Sequence, residues 1–413
     1  MKATKFKSSE LGPIPVDWEV KRLGELWSSF KTGPFGSSLH AQDYIENGTP
    51  LINPMHIQDG KIEPSADMTV DDSTKHRLSA YKLSQDDIVV GRRGEMGRAA
   101  LVGEKENGWL CGTGCFFLHL KESCCPSYIA LYLRTPTSVA SLNGEAVGTT
   151  LVNLNQKILS DLKLPLPPLV EQRRIARALS DVDELISALG KLIEKKRNIK
   201  TGAMQELLTG KTRLPGFKGK WVEKRLGECG TWLGGGTPST DIPHYWQGSV
   251  PWISSSDIEE GNIWNVSKTR FVSNDGIVNS AACICPRGTI HIVTCVGIGK
   301  VAIATEPVCT SQDYANLVSA QCDNKFLAFL ISVVMLSKKE ETQGTSIKGI
   351  TLEDLKKIVL SVPPTLAEQK AIAAVLSDMD AEIAALEADR AKYESIKQGM
   401  MQELLTGKTR LEA

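Results

Sequence analysis

The chain contains 413 residues, of which 41% are hydrophobic, and its 48 Lys and Arg equal its 48 Asp and Glu, so its net charge is zero. The length predicts two or three domains, the ordinary composition excludes a disordered or fibrous protein, and the charge balance excludes a global field that would attract nucleic acid. Because Met1 to Lys7 lacks the apolar run of a signal peptide, and the longest apolar stretch, Phe326 to Leu336, is too short to span a membrane, we expect a cytoplasmic protein without membrane contact.

The first part of the chain is predicted to form a mixed α/β domain. The run from Asp87 to Val90 is typical of a strand, and the apolar segment from Tyr128 to Leu133 is typical of a short buried helix. Two Gly-rich loops, Lys31 to Ser38 and Gly91 to Gly94, carry hydroxyl and cationic side chains. Such side chains suit phosphate oxygens and base edges, although each loop taken alone also fits a plain turn.

A long helix is predicted after the pair Pro167-Pro168, since proline ends a strand and can open a helix. Taken from Val170 to Leu208, the helix has 39 residues and a length of roughly 58 Å. Its basic residues around Lys195 fit either a solvated face or a phosphate-facing one, and Gly210 is predicted to end it as a left-handed cap. Its apolar residues alternate spacings of four and three, the heptad pattern of a coiled-coil seam: Ile175, Leu179, Val182, Ile186, Leu189 and Ile193.

The second part of the chain repeats the framework of the first. Trp18 to Glu25 matches Trp221 to Glu228, and the segment from Met204 to Leu214 recurs identically from Met401 to Leu411. The framework residues persist between the two copies, whereas the polar residues of the loops differ. Two similar scaffolds with different loops predict binding to two different but related targets.

A second long helix is predicted after Pro363-Pro364, and Gly407 is predicted to end it as a left-handed cap. The apolar seam weakens toward its end, because Arg390 stands at the position equivalent to Ile193. Lys200 and Lys397 then occupy a later pair of equivalent positions. Two heptad helices in one chain most simply pair as a coiled coil; the alternative is that each packs only on its own domain. The second seam repeats the first with a shift of 197 residues: Ile372, Leu376, Met379, Ile383 and Leu386.

Catalytic motifs are not recognisable in this sequence. Gly210-Lys211-Thr212 resembles the end of a phosphate-binding loop, but Gln205 stands where that loop needs its first glycine. No nucleophile–base pair emerges, and the six histidines have no repeated partner. We therefore expect no catalytic residue and no cofactor.

The cysteines of the first half need a separate interpretation. Cys111, Cys115, His119, Cys124 and Cys125 could be taken for zinc ligands. However, the sequence has no CxxC pair, and the second half does not reproduce the cluster. Buried cysteines acting as small apolar residues are the better interpretation, so we expect no metal.

The candidate DNA-binding residues are the polar and cationic side chains of the Gly-rich loops and their neighbours. They are Lys31, Ser37, Ser38, Arg92, Arg93 and Arg98 in the first half, and Thr237, Ser239, Ser254, Ser256, Lys300 and Lys348 in the second.

Taken together, these features resemble the specificity subunit of a type I restriction-modification system, over essentially the whole chain. The resemblance is carried by the duplicated W-x-x-x-R-L-G-E segment, the proline pair followed by E-Q at each helix start, the L-S-D-x-D segments (Leu179 to Asp183 and Leu376 to Asp380) and the M-Q-E-L-L-T-G-K-T-R-L segments. Each motif alone would be weak, but their combination is quite specific.

The resemblance implies an α/β (α+β) fold with a pseudo-two-fold internal repeat. Two similar target-recognition domains would be separated by two long helices that form an antiparallel coiled coil. The expected boundaries are 1–168 for the first target-recognition domain, 169–210 for the first spacer helix, 211–365 for the second domain, and 366–413 for the second spacer helix and tail.

The resemblance also implies a non-catalytic role. Each domain would read one half of a bipartite, asymmetric site in double-stranded DNA, and the coiled coil would set the spacer between the halves. The implied partners are two methyltransferase subunits and, in the full complex, restriction subunits. The alternative interpretation is a non-catalytic protein-interaction scaffold built on the coiled coil.

Overall fold

The computed structural model describes residues 5–35, 38–145, 153–342 and 349–411. The chain divides into two compact units: unit 1 comprises Met1–Leu189 and Asp389–Ala413, and unit 2 comprises Gly190–Ala388. Unit 1 is therefore built from two separate stretches of chain, and unit 2 from one. Among the described residues, no helix is both long enough and apolar enough to cross a membrane.

Unit 1 is a mixed α/β structure with one end of a helix pair. Its strands are β1 (Phe6–Ser9), β2 (Gly12–Pro15), β3 (Glu19–Arg22), β4 (Trp27–Thr32), β5 (Tyr44–Ile45), β6 (Thr49–Ile52), β7 (Ile57–Gln58), β8 (Lys61–Ile62), β9 (Thr69–Val70), β10 (Ile88–Gly91), β11 (Ala99–Leu101), β12 (Leu110–Cys111), β13 (Cys115–Leu120) and β14 (Lys163–Leu166). Its short helices are α1 (Asp72–Arg77), α2 (Pro126–Leu133), α3 (Pro136–Glu145) and α4 (Gln156–Asp161).

Two four-stranded sheets organise unit 1. One is antiparallel, in the order β11-β10-β13-β4; the other has the order β12-β6-β9-β5 and contains the parallel pair β12–β6. Strand β13 is apolar on both faces from Cys115 to Leu118, where both faces are buried. Phe116 packs in the cluster that contains Trp18 and Tyr128, whereas Phe117 packs in the cluster that contains Ile52.

Unit 2 repeats this architecture. Its strands are β15 (Val222–Arg225), β16 (Gly230–Gly234), β17 (Val250–Ile253), β18 (Arg270–Val272), β19 (Ile284–Cys285), β20 (Ile290–Val293), β21 (Val301–Ile303), β22 (Val308–Thr310), β23 (Tyr314–Ser319) and β24 (Val359–Val362), and its shorter helices are α6 (Asn274–Val278), α7 (Asn324–Thr342) and α8 (Leu352–Lys357). The antiparallel sheet, β21-β20-β23-β16, matches that of unit 1 strand for strand. The second sheet, β18-β17-β22-β19, keeps the parallel pair but carries its extra edge strand on the other side.

The two long helices pair within each unit. They are α5 (Leu169–Leu207) and α9 (Leu366–Leu404), so the helix predicted from Val170 to Leu208 is confirmed to within one residue at each end. In unit 1, Ile175 and Leu179 share a core cluster with Leu404 and Leu405. In unit 2, Leu207 and Leu208 share a cluster with Ile372 and Leu376. The start of one helix thus meets the end of the other in both units, and the predicted antiparallel pairing and mixed fold class are confirmed.

Ion pairs lie where the apolar seam weakens. Lys397 pairs with Asp183 in unit 1, and Lys200 pairs with Asp380 in unit 2. Both lysines are only 8% exposed, so each needs a partner to be stable in the helix interface. The two pairs are equivalent in the repeat, and they give the last Asp of the L-S-D-x-D segment a structural role.

Other basic residues around Lys195 also pair with α9. The Nζ atom of Lys196 lies 2.6 Å from Glu382, and Arg197 lies 2.6 Å from Glu387. For these residues the structure favours pairing between helices over contact with phosphate.

Each long helix ends in a structure that we call a clasp. In clasp 1, Arg410 binds Glu171 at 2.8 Å and lies over the ring of Trp18. In clasp 2, Arg213 binds Glu368 at 2.7 Å and lies over the ring of Trp221. The clasps give the Arg of each T-G-K-T-R-L segment a structural role. Gly407 and Gly210 have φ values of 74° and 70°, which confirms the predicted left-handed caps.

Candidate nucleic-acid interface

Four loops of unit 1 meet at one edge of its sheets, and we call this edge the first rim. They follow β4, β6, β10 and β12. The backbone N–H of Gly33 donates to Cys115 at 3.0 Å, that of Arg92 to Gly114 at 2.9 Å, and that of Gly112 to Ile52 at 2.8 Å. The guanidinium of Arg98 donates to the carbonyl of Pro54 at 3.0 Å. Loops that are far apart in sequence thus form one continuous surface.

Arg92 and Arg93 occupy the β10–β11 loop of the first rim. Arg92 stacks on Phe116, with 5.2 Å between its guanidinium carbon and the ring centre. Burial and then the neighbouring charge of Arg93 lower the pKa of Arg92, and its buried Nε has no hydrogen-bond partner among the described residues. Arg93 is exposed, and its backbone forms an isolated bridge with Asn153. One arginine is therefore held by packing, while the other projects into solvent.

Lys31 lies on the opposite face of the same sheet from Arg92. Its Nζ donates to the carbonyl of Ala80 at 3.0 Å and lies 5.8 Å from the ring centre of Phe117. Phe116 and Phe117 point to opposite faces because they are consecutive in β13. The predicted cations of unit 1 are therefore not gathered on a single face.

The remaining candidate residues of unit 1 differ in how they are held. The carbonyl of Ser38 accepts a hydrogen bond from Arg77 at 2.6 Å, and Arg98 also pairs with Glu95. Ser37 lies outside the described residues. Arg77, which sequence reasoning missed, also pairs with Asp43 and so fixes the loop that carries Ser38.

Unit 2 has an equivalent second rim with different side chains. Thr237 donates to Gln312 at 2.6 Å, and the hydroxyls of Ser254 and Ser256 lie 2.9 Å apart. The Nζ of Lys300 donates to the carbonyl of Ser255 at 2.9 Å, which repeats the Arg98–Pro54 contact of unit 1. Ser239 accepts a hydrogen bond from Trp246 through its carbonyl, at 3.1 Å. Lys348 lies outside the described residues.

Arg270 is a central residue of the second rim that sequence reasoning missed. Its guanidinium stacks on Trp252 at 4.5 Å, donates to the hydroxyl of Ser254 at 2.7 Å and pairs with Asp257. Trp246 packs edge-on against Trp252. The repeat could not reveal Arg270 because the equivalent position in unit 1 is Met68. The two nearby tryptophans were the available signal for an aromatic surface that holds a guanidinium.

Three of the cysteines considered as zinc ligands, Cys111, Cys115 and Cys124, are buried in the core, whereas Cys125 is half-buried. Cys111 and Cys115 are fully buried, and burial raises the pKa of each thiol above its usual range. Among the described residues, no group of three His, Cys, Asp or Glu side chains is arranged to hold a metal ion.

Comparison with known proteins reveals a match over most of the chain. The family model for the type I restriction modification DNA specificity domain matches twice, over residues 15–198 and 218–398. The chain is 28% identical to the putative type I restriction enzyme MjaX specificity subunit of Methanocaldococcus jannaschii, covering 100% of this chain and 98% of that protein. It is 25% identical to the MjaVIII specificity subunit of the same organism, with coverage of 100% and 97%.

Solved structures share the fold at lower identity. The S subunit of a type I restriction-modification system from M. genitalium superposes with a TM-score of 0.63 at 17% identity, covering 97% of this chain and 98% of that one. A chain from a study of complex assembly and conformational transition in the type I R-M system gives a TM-score of 0.58 at 18% identity, with coverage of 96% and 99%.

Proposed function

Because both family matches together span most of it, the chain belongs to the type I restriction modification DNA specificity family, and we propose that it is the DNA sequence-recognition subunit of a type I restriction-modification complex. Each target-recognition domain reads one half of a bipartite, asymmetric site, and the coiled coil sets the spacer. The chain itself is non-catalytic, and methyl transfer and DNA cleavage belong to its partner subunits.

One observation carries this proposal: a repeated framework supports two unlike rims. Arg98 and Lys300 make the same contact with the turn after β6 or β17. In contrast, the exposed position of Arg93 is held by Cys295 in unit 2. In unit 1, Lys31 pairs with Phe117 across β4 and β13. At the equivalent place in unit 2, Leu233 pairs with Asn316 across β16 and β23. A repeated frame that carries different polar side chains suits the reading of two different half-sites.

Within the rims, the predicted loop residues are the proposed DNA contacts. The exposed guanidinium of Arg93 can donate two hydrogen bonds to a guanine edge or to a phosphate. The half-buried cations Arg98 and Lys300 hold the loops in place and present the neighbouring hydroxyls. Net neutrality of the chain fits this role, because partner subunits would supply much of the charge that binds the DNA backbone.

The proposed partners are two methyltransferase subunits, with restriction subunits in the complete complex. Support comes from a second apolar stripe on α5. Leu185, Leu192 and Ile199 lie seven residues apart and are 39%, 38% and 46% exposed, so they follow one face of the helix. Their equivalents on α9 are Glu382, Asp389 and Ile396, so the stripe belongs chiefly to α5.

Mapping of methylated sites tests the recognition function. The chain is co-expressed with its methyltransferase, and methylated bases are located by sequencing of the host DNA. We expect one split, asymmetric motif. Arg93→Ala should lower the discrimination against wrong bases in one half of the motif by about 5- to 150-fold, equivalent to 1–3 kcal/mol. Discrimination in the other half should be unchanged. Lys105→Ala, an exposed cation outside the rim, is the matched control.

Two outcomes would contradict this function. Equal relaxation of both half-sites by Arg93→Ala would exclude two independent readers. Failure of the chain and its methyltransferase to bind any duplex would leave the protein-interaction scaffold as the better interpretation.

Pull-down with the methyltransferase tests the α5 stripe. The double substitution Leu192→Glu and Ile199→Glu should abolish association while the chain remains folded, because burying two carboxylates in an apolar interface is costly. Lys195→Glu on the same helix is the control. Normal association of the double variant would place the partner elsewhere.

A further inference from the structure

One position of the repeat, beside the helix pair, holds side chains of very different size and charge in the two units. The buried helix segment from Tyr128 to Leu133 in unit 1 corresponds to Phe326 to Ile331 in unit 2. The next residue is Arg134 in unit 1 and Ser332 in unit 2. A long cationic side chain in one copy is thus a small hydroxyl in the other.

In unit 1, the Arg134 guanidinium fills the space between a turn and the helix pair. A Cβ atom added to Gly60, whose φ is 77°, would lie only 2.0 Å from Nη1 of Arg134. Burial lowers the pKa of Arg134, but Asp183 and Asp59 both interact favourably with its charge and oppose this shift. Lys397 pairs with Asp183 at the same place, so this location accepts a second cation beside an existing ion pair.

In unit 2, the same location is open. Gly261 corresponds to Gly60 and has the same left-handed backbone, with φ of 80°, yet a Cβ added there would have nothing within 4 Å. A cavity of about 1000 Å³ lies at this point and is lined by Gly261, Trp264, Ser332, Asp380 and residues of α5 and α9. Asp380 pairs with Lys200 as Asp183 pairs with Lys397, so the surroundings of the missing arginine are retained.

The charges around the cavity complement one further cation. Carboxylates of Glu259, Glu260, Asp380 and Glu387 line it, together with the cations Arg197 and Lys200. Three of these acids have a cationic partner: Glu260 pairs with Lys339, Glu387 with Arg197, and Asp380 with Lys200. Glu259 instead accepts a hydrogen bond from the amide of Asn265 at 3.1 Å.

The cavity also has an aromatic wall. Trp264 donates from Nε1 to Asp380 at 3.0 Å, which fixes its ring beside the acid. Flat guanidinium groups pack well against aromatic rings and form paired hydrogen bonds with carboxylates, whereas ammonium groups do so less readily.

We propose that this cavity in unit 2 is a binding site for a guanidinium group, which occupies the place that Arg134 fills in unit 1. The group is supplied either by an arginine of a partner protein or by a free guanidinium compound. The site is separate from the rims, so it does not depend on how DNA is read.

Fluorine NMR of the full chain labelled with 5-fluorotryptophan tests the site, with the Trp264 signal assigned through Trp264→Phe. The probes are N-acetylarginine methylamide, its neutral isostere N-acetylcitrulline methylamide, and a capped pentapeptide with arginine at its centre. We expect a saturable shift of the Trp264 signal with the arginine probe, and binding at least about tenfold weaker for citrulline, which lacks the charge. A pentapeptide that binds tenfold more tightly than the single residue indicates a partner arginine; equal affinity indicates a free compound.

Two substitutions separate binding from folding. Ser332→Arg should abolish probe binding and raise Tm by roughly 2–4 °C, because it restores the unit 1 arrangement; Ser267→Arg, on the exposed surface of unit 2, should do neither. Glu259→Gln should weaken the arginine probe severalfold, whereas Glu353→Gln on α8 should not. Equal binding of arginine and citrulline, no shift with either, or unchanged binding in folded Ser332→Arg would each overturn the proposal. Site-specific methylation by the Ser332→Arg complex reports separately on DNA recognition.

Discussion

Clasp 1 and clasp 2 are copies of one arrangement, but the arginine of clasp 1 pairs with a second carboxylate. Both keep an arginine between a buried glutamate and a tryptophan ring. Arg410 additionally binds the Asp17 carboxylate at 2.7 Å. Lys220 occupies the position of Asp17 in the second copy, and Arg213 donates instead to the carbonyl of Gly219 at 2.7 Å. Hydrogen bonds to Glu171 and Asp17 raise the pKa of Arg410. The stronger clasp is thus the one that joins two stretches far apart in sequence, where the chain itself provides the least restraint.

Removal of the clasp arginines should have the largest effect. Arg410→Ala leaves Glu171 and Asp17 without their cation and should destabilise unit 1 by about 3–5 kcal/mol, the usual cost of breaking a buried pair. Arg213 is more exposed, at 25% of its side chain, so Arg213→Ala should cost unit 2 less, about 1–3 kcal/mol. Amide hydrogen exchange measures the stability of each unit separately, in β3 and β14 for unit 1 and in β15 and β24 for unit 2.

The exposed pair Lys408→Ala and Lys211→Ala provides the control for these variants. Equal losses of protection in the two units would mean that the additional Asp17 contact contributes nothing.

An acid-sensitive pair in unit 2 should give the next effect. His291 faces Asn316 across β20 and β23, where unit 1 has Val89 facing Phe117. Burial lowers the pKa of His291 to about 4, although the hydrogen bond with Asn316 opposes this shift. The His291 imidazole therefore binds a proton near pH 6.5 in the unfolded chain, but only near pH 4 in the folded unit. Stability is complete above pH 6.5 and decreases by up to about 3 kcal/mol as pH falls to 4.

Urea unfolding between pH 4 and 7 measures this effect. His291→Val should remove the additional acid sensitivity in this window, because it removes the titratable imidazole. An unchanged pH profile in the folded variant would assign the sensitivity to other groups.

The tryptophans of the clasps should give the smallest difference. Nε1 of Trp18 donates to Glu171 at 3.0 Å, whereas the buried Nε1 of Trp221 has no partner among the described residues. Trp18→Phe should therefore cost about 1–2 kcal/mol more than Trp221→Phe, since only the first loses a hydrogen bond to a charged group. Thermal unfolding of both variants tests this order, and a larger loss for Trp221→Phe would contradict it.

Local patterns predicted the helical frame well. The heptad spacing predicted α5 from Val170 to Leu208, and the structure places it at Leu169–Leu207. Gly210 and Gly407 were predictable as caps because a left-handed residue after a helix favours glycine whatever surrounds it. The repeat then predicted that the second copy would follow the first.

Contacts between distant segments were not predictable in the same way. Lys200 and Lys397 interrupt the apolar pattern, and only the folded helix pair reveals Asp380 and Asp183 as their partners. The polar and cationic character of the loop residues is visible in the sequence, but nothing there indicates that Lys31 and Arg92 pack on opposite faces of a sheet. Such placement depends on which strands pair, and sequence spacing does not specify that.

The division of the chain also sets the order in which its two units can fold during synthesis. Unit 2 is continuous from Gly190 to Ala388, so it can fold on the ribosome as soon as that stretch has emerged. Unit 1 begins earlier, but the end of α9 that carries Met401 and Leu404 and the clasp arginine Arg410 are translated only after unit 2. The half of the protein that is made first is thus completed last. A ribosome that stops shortly before Arg410 would release a finished unit 2 attached to a unit 1 that is still open.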